Sequence, residues 1–219
     1  MKIRITHQRV TLVLQLILFV EAVIALWDQQ WLTFAITVGI IAVTLLPLLL
    51  EHRYRMYIPP QFQLLAITFV FASLFLGEVR DYYTRFWWWD ILLHTTSGFL
   101  LGILGFLLVY VLNESEKVDL HLKPFFVAFF AFMFALGVGA LWEIFEFTMD
   151  SLFGMNMQKP MLNDPSGLTD TMIDLMVDAL GALVISIMGW RYLRAGKRES
   201  FLERWIRQFI ETNPALFRD

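Results

Sequence analysis

Six long apolar runs divide the chain, and charged or aromatic residues bound each of them. They cover approximately residues 10–27, 31–50, 60–77, 88–112, 124–150 and 170–190. Because about 20 apolar residues cross the hydrocarbon core of a bilayer as an α-helix, each run predicts a transmembrane helix. Trp27, Trp31 and Trp190 lie at run ends, where amphipathic rings favour the headgroup region. The pattern therefore predicts an all-α, polytopic bundle of about six transmembrane helices, in one domain over residues 1–195.

The pattern changes after Gly196, where apolar residues recur at helical spacing and arginines lie on the opposite face. Phe201, Trp205 and Phe209 belong to the apolar face, and Arg204 and Arg207 belong to the polar one. This spacing predicts an amphipathic cytoplasmic tail over residues 196–219. It is equally consistent with a helix on the anionic leaflet and with a helix packed on the cytoplasmic ends of the bundle.

Composition agrees with the apolar runs and excludes several kinds of chemistry. Of the 219 residues, 58% are hydrophobic and 17% are charged, which is too apolar for a soluble domain of this length. The absence of cysteine excludes disulfides, thiolate catalysis and thiolate metal sites. The sequence contains no HExxH or ExxH pair, no GxSxG elbow and no P-loop. These absences argue against zincins, carboxylate di-iron sites, serine hydrolases and P-loop nucleotide-binding proteins.

Basic residues are distributed unequally between the two sides of the predicted bundle. With both termini in the cytoplasm, fourteen of the seventeen lysines and arginines fall on the inner side. Only Arg80, Arg85 and Lys159 fall on the outer side. Positively charged loops remain inside, so the asymmetry predicts cytoplasmic N- and C-termini.

Polar residues interrupt the last three runs near their predicted outer ends. They are Asp90 and His94 in the fourth run, Glu143, Glu146 and Asp150 in the fifth, and Asp170, Asp174 and Asp178 in the sixth. Within each run the spacing of three or four residues places these side chains on one helix face. We therefore predict three polar stripes that begin at the same membrane face.

Carboxylates in transmembrane helices are costly, and this cost predicts that the stripes face one another or water. On the lenient insertion scale, a charged residue near a helix centre costs roughly 2.5–3.5 kcal/mol. Two carboxylates about 4 Å apart also repel by about 4 kcal/mol at an effective dielectric constant near 20. The cluster must therefore be neutralised by protonation or by a bound cation.

The residue types favour a divalent cation, with all eight polar residues as candidate ligands. Oxygen ligands with at most one imidazole suit Mg²⁺, Mn²⁺ or Ca²⁺ better than Zn²⁺. Asp150 and Asp170 are equally consistent with helix-end residues. We further predict that His94 acts as a catalytic acid or base, with Asp90 orienting its ring.

Three functions are compatible with this cluster. The first is a metal-dependent membrane hydrolase or transferase that acts on a phosphate-bearing lipid or isoprenoid. The second is a transporter or channel for cations or protons, and the third is a non-catalytic membrane partner protein. All three predict membrane lipids as partners and no nucleic-acid partner. The segment 151–169, interrupted by glycines and prolines, is predicted either to cap the acidic residues or to serve only as a passive connector.

Three segments of the sequence resemble a known family. WWDILLH, ALWEIFEFTMD and LTDTMIDLMVDALGALV are similar to the YjdF-like proteins of the bacterial inner membrane, and the likeness spans roughly residues 47–190. The residues that carry it are Trp89, Asp90, His94, Trp142, Glu143, Glu146, Asp150, Asp170, Asp174, Asp178 and Gly181. The last two runs also resemble VanZ-like membrane proteins. The resemblance implies a bacterial inner-membrane location, and neither family supplies an established mechanism.

The distribution of basic residues generates a topology prediction. A reporter fused after Asp219 should behave as cytoplasmic, and single cysteines at Asn156 or Asn163 should react with a membrane-impermeant reagent added outside. Both results follow from the exclusion of positive charge from translocated loops. An outward-facing C-terminus would contradict the assignment.

Overall fold

The computed structural model describes residues 2–54, 60–114 and 122–195, and after these only residues 204, 208, 209 and 211–213. In this part of the chain the structure is helical, with no β-strand. The elements are α1 (Lys2–Trp27), α2 (Trp31–Tyr54), α3 (Pro60–Val70), a π-helical segment (Phe71–Val79), α4 (Tyr82–Arg85), α5 (Trp89–Glu114), α6 (Pro124–Phe153) and α7 (Leu168–Ala195).

Each predicted apolar run forms a helix. Among the described residues, four helices are long and apolar enough to cross a membrane, namely Arg9–Trp27, Trp89–Tyr110, Pro124–Phe153 and Leu168–Arg194. Trp31–Leu45 and Gln63–Val79 form shorter apolar helices. The predicted all-α membrane bundle is therefore confirmed. The amphipathic helix predicted over residues 196–219 lies almost entirely outside the described residues.

Local sequence explains where two of the long helices begin and end. Pro124 occupies the first turn of α6, where its missing N–H costs no helical hydrogen bond. Gly154 ends the same helix in the left-handed conformation, at a φ of 63°. At the end of α1, Gln29 adopts a φ of 57°, and the Gln30 amide donates to the Ala25 carbonyl at 2.8 Å. This left-handed turn leads directly into α2 at Trp31.

The third run does not form the single regular helix that the apolar pattern predicts over residues 60–77. The chain is α-helical only to Val70, and the next nine residues form a π-helix. At its end the Arg80 amide donates to the Phe75 carbonyl at 2.9 Å, five residues earlier. The indole N–H of Trp89 donates to the Ala72 carbonyl at 3.3 Å. Hydrophobic spacing does not distinguish the two helix types, because the difference lies in the backbone hydrogen bonds.

The helices group into two compact units, residues 1–89 and residues 90–219. In the first unit, Leu18, Ile40, Phe71 and Phe75 form a buried cluster. Glu21 on α1 is 8% exposed and pairs with the Arg80 guanidinium, which satisfies its charge within the unit. The predicted single domain over residues 1–195 stays a prediction.

In the second unit, glycines allow α5 and α7 to approach at backbone distance. A Cβ atom on Gly98 would collide with the backbone carbonyl of Asp178, and one on Gly181 would collide with the backbone carbonyl of Thr95. A third glycine, Gly105, faces the Phe134 side chain of α6. Small residues permit such contacts between membrane helices.

The face of α6 that packs inward changes character along its length. Ala131, Ala135 and Gly139 are buried in its first part, and Glu143 and Glu146 continue the same face toward its end. Small residues thus bring the helices together, and carboxylates follow where the helices approach their ends. The polar cluster is held by this packing.

The glycine contacts generate a stability prediction. Gly98→Ala or Gly181→Ala should destabilise the protein by roughly 1–3 kcal/mol, because the added methyl forces the α5 and α7 backbones apart. Gly137→Ala is the matched control, since its Cβ would meet nothing within 4 Å and alanine favours a helix by up to about 1 kcal/mol. Thermal unfolding in detergent measures all three changes. Equal stability of Gly98→Ala and Gly137→Ala would contradict the close packing.

Candidate metal centre

The polar residues of α5 and α7 meet near the ends of their helices. Asp90, His94 and Asp174 each offer one ligand atom, and these three atoms all lie within 4.8 Å of one another. Asp90 and His94 come from the first turns of α5, and Asp174 comes from the second turn of α7. This is the spacing of a group that could hold one metal ion.

The two nitrogen atoms of the His94 ring face different carboxylates. Nε2 lies 3.7 Å from an Asp90 oxygen and 3.7 Å from a Glu143 oxygen. Nδ1 lies 3.3 Å from Oδ2 of Asp178. The predicted pair of His94 with Asp90 is therefore present at ion-pair distance, whereas the hydrogen-bonding partner of the ring is Asp178.

Asp178 is a carboxylate whose two oxygens both have partners. The Ser97 hydroxyl donates to Oδ1 at 2.5 Å, and His94 faces Oδ2. The same carboxylate packs against Gly139 of α6, where an added Cβ would lie 2.5 Å from Oδ2. Asp178 is 1% exposed and thus joins three helices through one buried side chain.

Asp174 and Glu143 are buried carboxylates whose oxygens, unlike those of Asp178, have no hydrogen-bond partners. Asp174 is 0% exposed, Glu143 is 3% exposed, and none of their four oxygens has a hydrogen-bond partner. The Thr171 hydroxyl is near Glu143 but does not form a hydrogen bond of ordinary geometry with it. An unsatisfied buried carboxylate costs more than the roughly 1–3 kcal/mol of a neutral polar group. Such oxygens are what a cation would satisfy.

Three other predicted ligands have bonding partners of their own. Glu146 is buried and accepts a hydrogen bond from the Trp142 indole at 2.8 Å. Asp170 accepts from the Lys159 amide at 2.6 Å through Oδ2, and its Oδ1 has no partner. Both oxygens of Asp150 accept loop amides, those of Met157 at 2.7 Å and Gln158 at 2.9 Å. Asp150 and Asp170 thus fasten the segment between α6 and α7.

That connecting segment is held by further hydrogen bonds before α7 begins. Asp164 accepts from the amide and hydroxyl of Ser166 and from the amide and hydroxyl of Thr169. These bonds, those of Ser166 foremost, hold the pKa of the Asp164 carboxyl well below its usual range. The Asp164 carboxylate also satisfies an N–H of the first turn of α7. The predicted capping role of the segment stays a prediction.

The donor set fits a divalent cation. Asp90, Asp174 and Glu143 supply carboxylate oxygens around the imidazole of His94, which gives a mixed oxygen and nitrogen set. Lys159, whose amide donates to Asp170, is the nearby basic residue in the connecting segment. One imidazole and one lysine do not balance the six carboxylates that α5, α6 and α7 bring to this region, so protonation or a bound cation must offset the remaining negative charge.

Comparison with known proteins agrees with the described fold. A family profile described as a predicted membrane protein (DUF2238) matches residues 9–195. The chain belongs to this family. Its identification as YjdF-like is thereby confirmed, and the VanZ-like resemblance stays a prediction.

An uncharacterized protein of Thermotoga maritima is 27% identical to the chain over 145 residues. The alignment covers 66% of this chain and 70% of the relative. No solved structure matches the chain. The DUF2238 membership and the apolar helices together identify an integral membrane protein.

The charged residues of the cluster in this DUF2238 protein were predicted from the sequence, but two of the hydrogen bonds that hold them were not. Ser97 shares a helix face with His94, three residues earlier, yet its hydroxyl gave no reason to expect a bond to Asp178 on another helix. No feature of the sequence indicated that the Lys159 amide donates to Asp170. A side-chain pattern carries no signal for a backbone donor in a loop.

The unpartnered oxygens of Asp174 predict that Asp174→Asn is more stable than the wild type without a cation and less stable than the wild type with one. In chelator, Asp174→Asn should raise the melting temperature by a few degrees, because the substitution removes a buried carboxylate without partners. With Mn²⁺ at about 100 times its Kd, the wild type should gain about 2.7 kcal/mol of stability, which the variant should not gain. Differential scanning measurements in detergent check both signs. A variant less stable than the wild type in chelator would contradict the prediction.

Proposed function

We propose that the protein is a divalent-cation-dependent membrane enzyme, a hydrolase or transferase that acts on a phosphate-bearing lipid or isoprenoid. The observation that carries this proposal is the buried carboxylate of Asp174, which has no hydrogen-bond partner on either oxygen, near Glu143, which contacts His94 only at 3.7 Å. Burying a carboxylate in a transmembrane helix is energetically costly, so buried carboxylates there indicate a role in binding or chemistry.

The depth of the cluster supports a substrate with its phosphate in the headgroup region. At 1.5 Å per residue, His94 lies roughly 8 Å from the start of α5, and Asp174 lies roughly 9 Å from the start of α7. Glu143 lies roughly 15 Å from the end of α6. A lipid phosphate at the membrane surface can approach this depth while its chain stays in the hydrocarbon.

The residues that would hold the cation are Asp90, His94, Glu143 and Asp174. A bound divalent cation stabilises the charge on a phosphoryl oxygen and lowers the pKa of a bound water. The chain's own contribution is to present oxygens that are already buried and need no reorganisation. Trp142 holds Glu146 beside this group through its indole N–H, which keeps a further carboxylate in place.

The packing beyond Asp178 favours an enzyme over a transporter or channel. A path across the bundle would require polar side chains along the rest of α5 and α7. In the described part of these helices, the fully buried positions beyond Asp178 are apolar, with 0% exposure. They are Ile103, Phe106, Ala182 and Ile185. Ser186 is the exception, and one hydroxyl does not make a continuous path. The polar cluster is therefore confined to one end of its helices.

The test is phosphate release by the full-length protein in proteoliposomes that contain a long-chain isoprenyl diphosphate or phosphatidic acid. We expect turnover with Mn²⁺ or Mg²⁺, none in chelator, and a loss of about two orders of magnitude or more in Asp174→Asn and Glu143→Gln. The loss follows because each substitution removes a ligand oxygen that no other side chain replaces.

Ser186→Ala is the matched control, since Ser186 is buried on α7 and its hydroxyl has no partner. It should keep full turnover. Metal retention without phosphate release from either lipid would contradict the enzymatic proposal and favour transport. Loss of neither metal nor turnover in Asp174→Asn would contradict the cation site.

A further inference from the structure

We propose that Asp178 is a positioning residue that fixes His94 as an Nε2 ligand of the cation and is not a ligand itself. This inference rests on the proposed cation site. It divides the predicted acidic ligands into two classes that the sequence treats alike, those that face the ion and those that hold the residues facing it.

Hydrogen bonding separates Asp178 from Asp174 and Glu143. Its Oδ1 accepts the Ser97 hydroxyl at 2.5 Å, and its Oδ2 faces Nδ1 of His94 at 3.3 Å. Neither oxygen of Asp174 has a hydrogen-bond partner, and Glu143 contacts Nε2 of His94 at 3.7 Å. Oδ2 of Asp178 faces Nδ1 instead, the ring nitrogen opposite the one that faces Asp90 and Glu143, so Asp178 lies behind the ring. Asp178 therefore belongs to the class that holds a ligand in place.

The orientation of the His94 ring agrees with this division. Nδ1 is directed to Asp178, and Nε2 is directed to the Asp90 and Glu143 carboxylates, each at 3.7 Å. A carboxylate that accepts the Nδ1 proton fixes the neutral tautomer whose Nε2 lone pair is free to ligate. Ser97 fixes the carboxylate in turn, and its one hydroxyl proton lies between Oδ1 of Asp178 and the His94 carbonyl, whose oxygen is 2.8 Å from the serine oxygen. The result is a chain from Ser97 to Asp178 to His94 to the ion.

Two close contacts hold Asp178 in place. Its carboxylate packs against Gly139 of α6, and its backbone carbonyl packs against Gly98 of α5. The residue is thus held from both sides on a helix that is itself packed closely against its neighbours. Precise support of this kind is what keeps a ligand ring in one orientation.

The assignment also narrows the chemical class of the ion. A fixed imidazole nitrogen among three carboxylates suits Mn²⁺, which accepts nitrogen ligands, better than Mg²⁺ or Ca²⁺, which prefer oxygen. We therefore expect Mn²⁺ to bind more tightly than Mg²⁺ or Ca²⁺, and the preference to depend on His94. The site is thereby assigned to an ion of intermediate hardness.

The test measures Mn²⁺ binding to the full-length protein in nanodiscs by electron paramagnetic resonance. Spin-echo modulation from a directly coordinated imidazole nitrogen should be present in the wild type and absent in His94→Gln. Asp178→Asn should weaken Mn²⁺ binding by about 10- to 100-fold, because the charge that supports the ring is lost while the shape of the side chain is kept.

A double-mutant cycle separates positioning from ligation. If Asp178 acts through His94, Asp178→Asn should have little further effect on Mn²⁺ affinity in the His94→Gln background. Additive losses would overturn the inference, because they would show that Asp178 binds the ion independently. Ser97→Ala should weaken binding by a smaller factor and serves as the second variant should Asp178→Asn fail to fold. Ser186→Ala is the hydroxyl control and should bind Mn²⁺ as the wild type does.

The outcomes distinguish this inference from the function on which it rests. Absence of any Mn²⁺, Mg²⁺ or Ca²⁺ binding to the wild type would overturn the proposed cation site and the inference together. Mn²⁺ binding without imidazole modulation in the wild type would overturn the inference alone, because the carboxylates would then bind the ion without His94. Unchanged Mn²⁺ affinity in both Asp178→Asn and Ser97→Ala would also overturn the inference alone.

Discussion

The backbone contact between α5 and α7 is the constraint on which the acidic cluster depends. Gly98 and Gly181 have no Cβ, so each lets its helix lie directly against a carbonyl of the other. At this separation Asp178 reaches both Ser97 and His94, whose side chains are short compared with the usual distance between packed helices. With larger residues at the two glycines, the same polar side chains would belong to separate helices with no shared partner.

The carboxylates of the cluster then fall into two groups, according to whether a hydrogen-bond donor contacts them. Asp150 is satisfied by loop amides, Glu146 by an indole and Asp178 by a hydroxyl and an imidazole, so each has a donor suited to a negative oxygen. Asp174 and Glu143 lack such donors in a setting from which water is largely excluded. Some carboxylates of the cluster thus have hydrogen-bond donors and others have none. A simple hydrogen-bonded network would supply donors to all of its carboxylates, so this cluster differs from one.

Much of the fold and part of the site could be predicted from the sequence. The helices follow from apolar runs of membrane-spanning length, and the convergence of Asp90, His94 and Asp174 follows from the cost of exposing charge to lipid. The partner of His94 could not be predicted, since side-chain spacing on one helix says nothing about register against another. The π-helical segment was missed for a similar reason, because its apolar spacing is compatible with an ordinary α-helix.

The contact at Gly98 is made with the backbone carbonyl of Asp178, not with its side chain. The close approach of α5 and α7 at this point therefore involves the backbone of residue 178, whereas its side chain belongs to the polar cluster. Backbone packing and polar chemistry thus depend on different atoms of one residue. A scaffold of this kind can exchange one set of polar groups for another and acquire a different selectivity without repacking its helices, so it is a permissive starting point for divergence of activity.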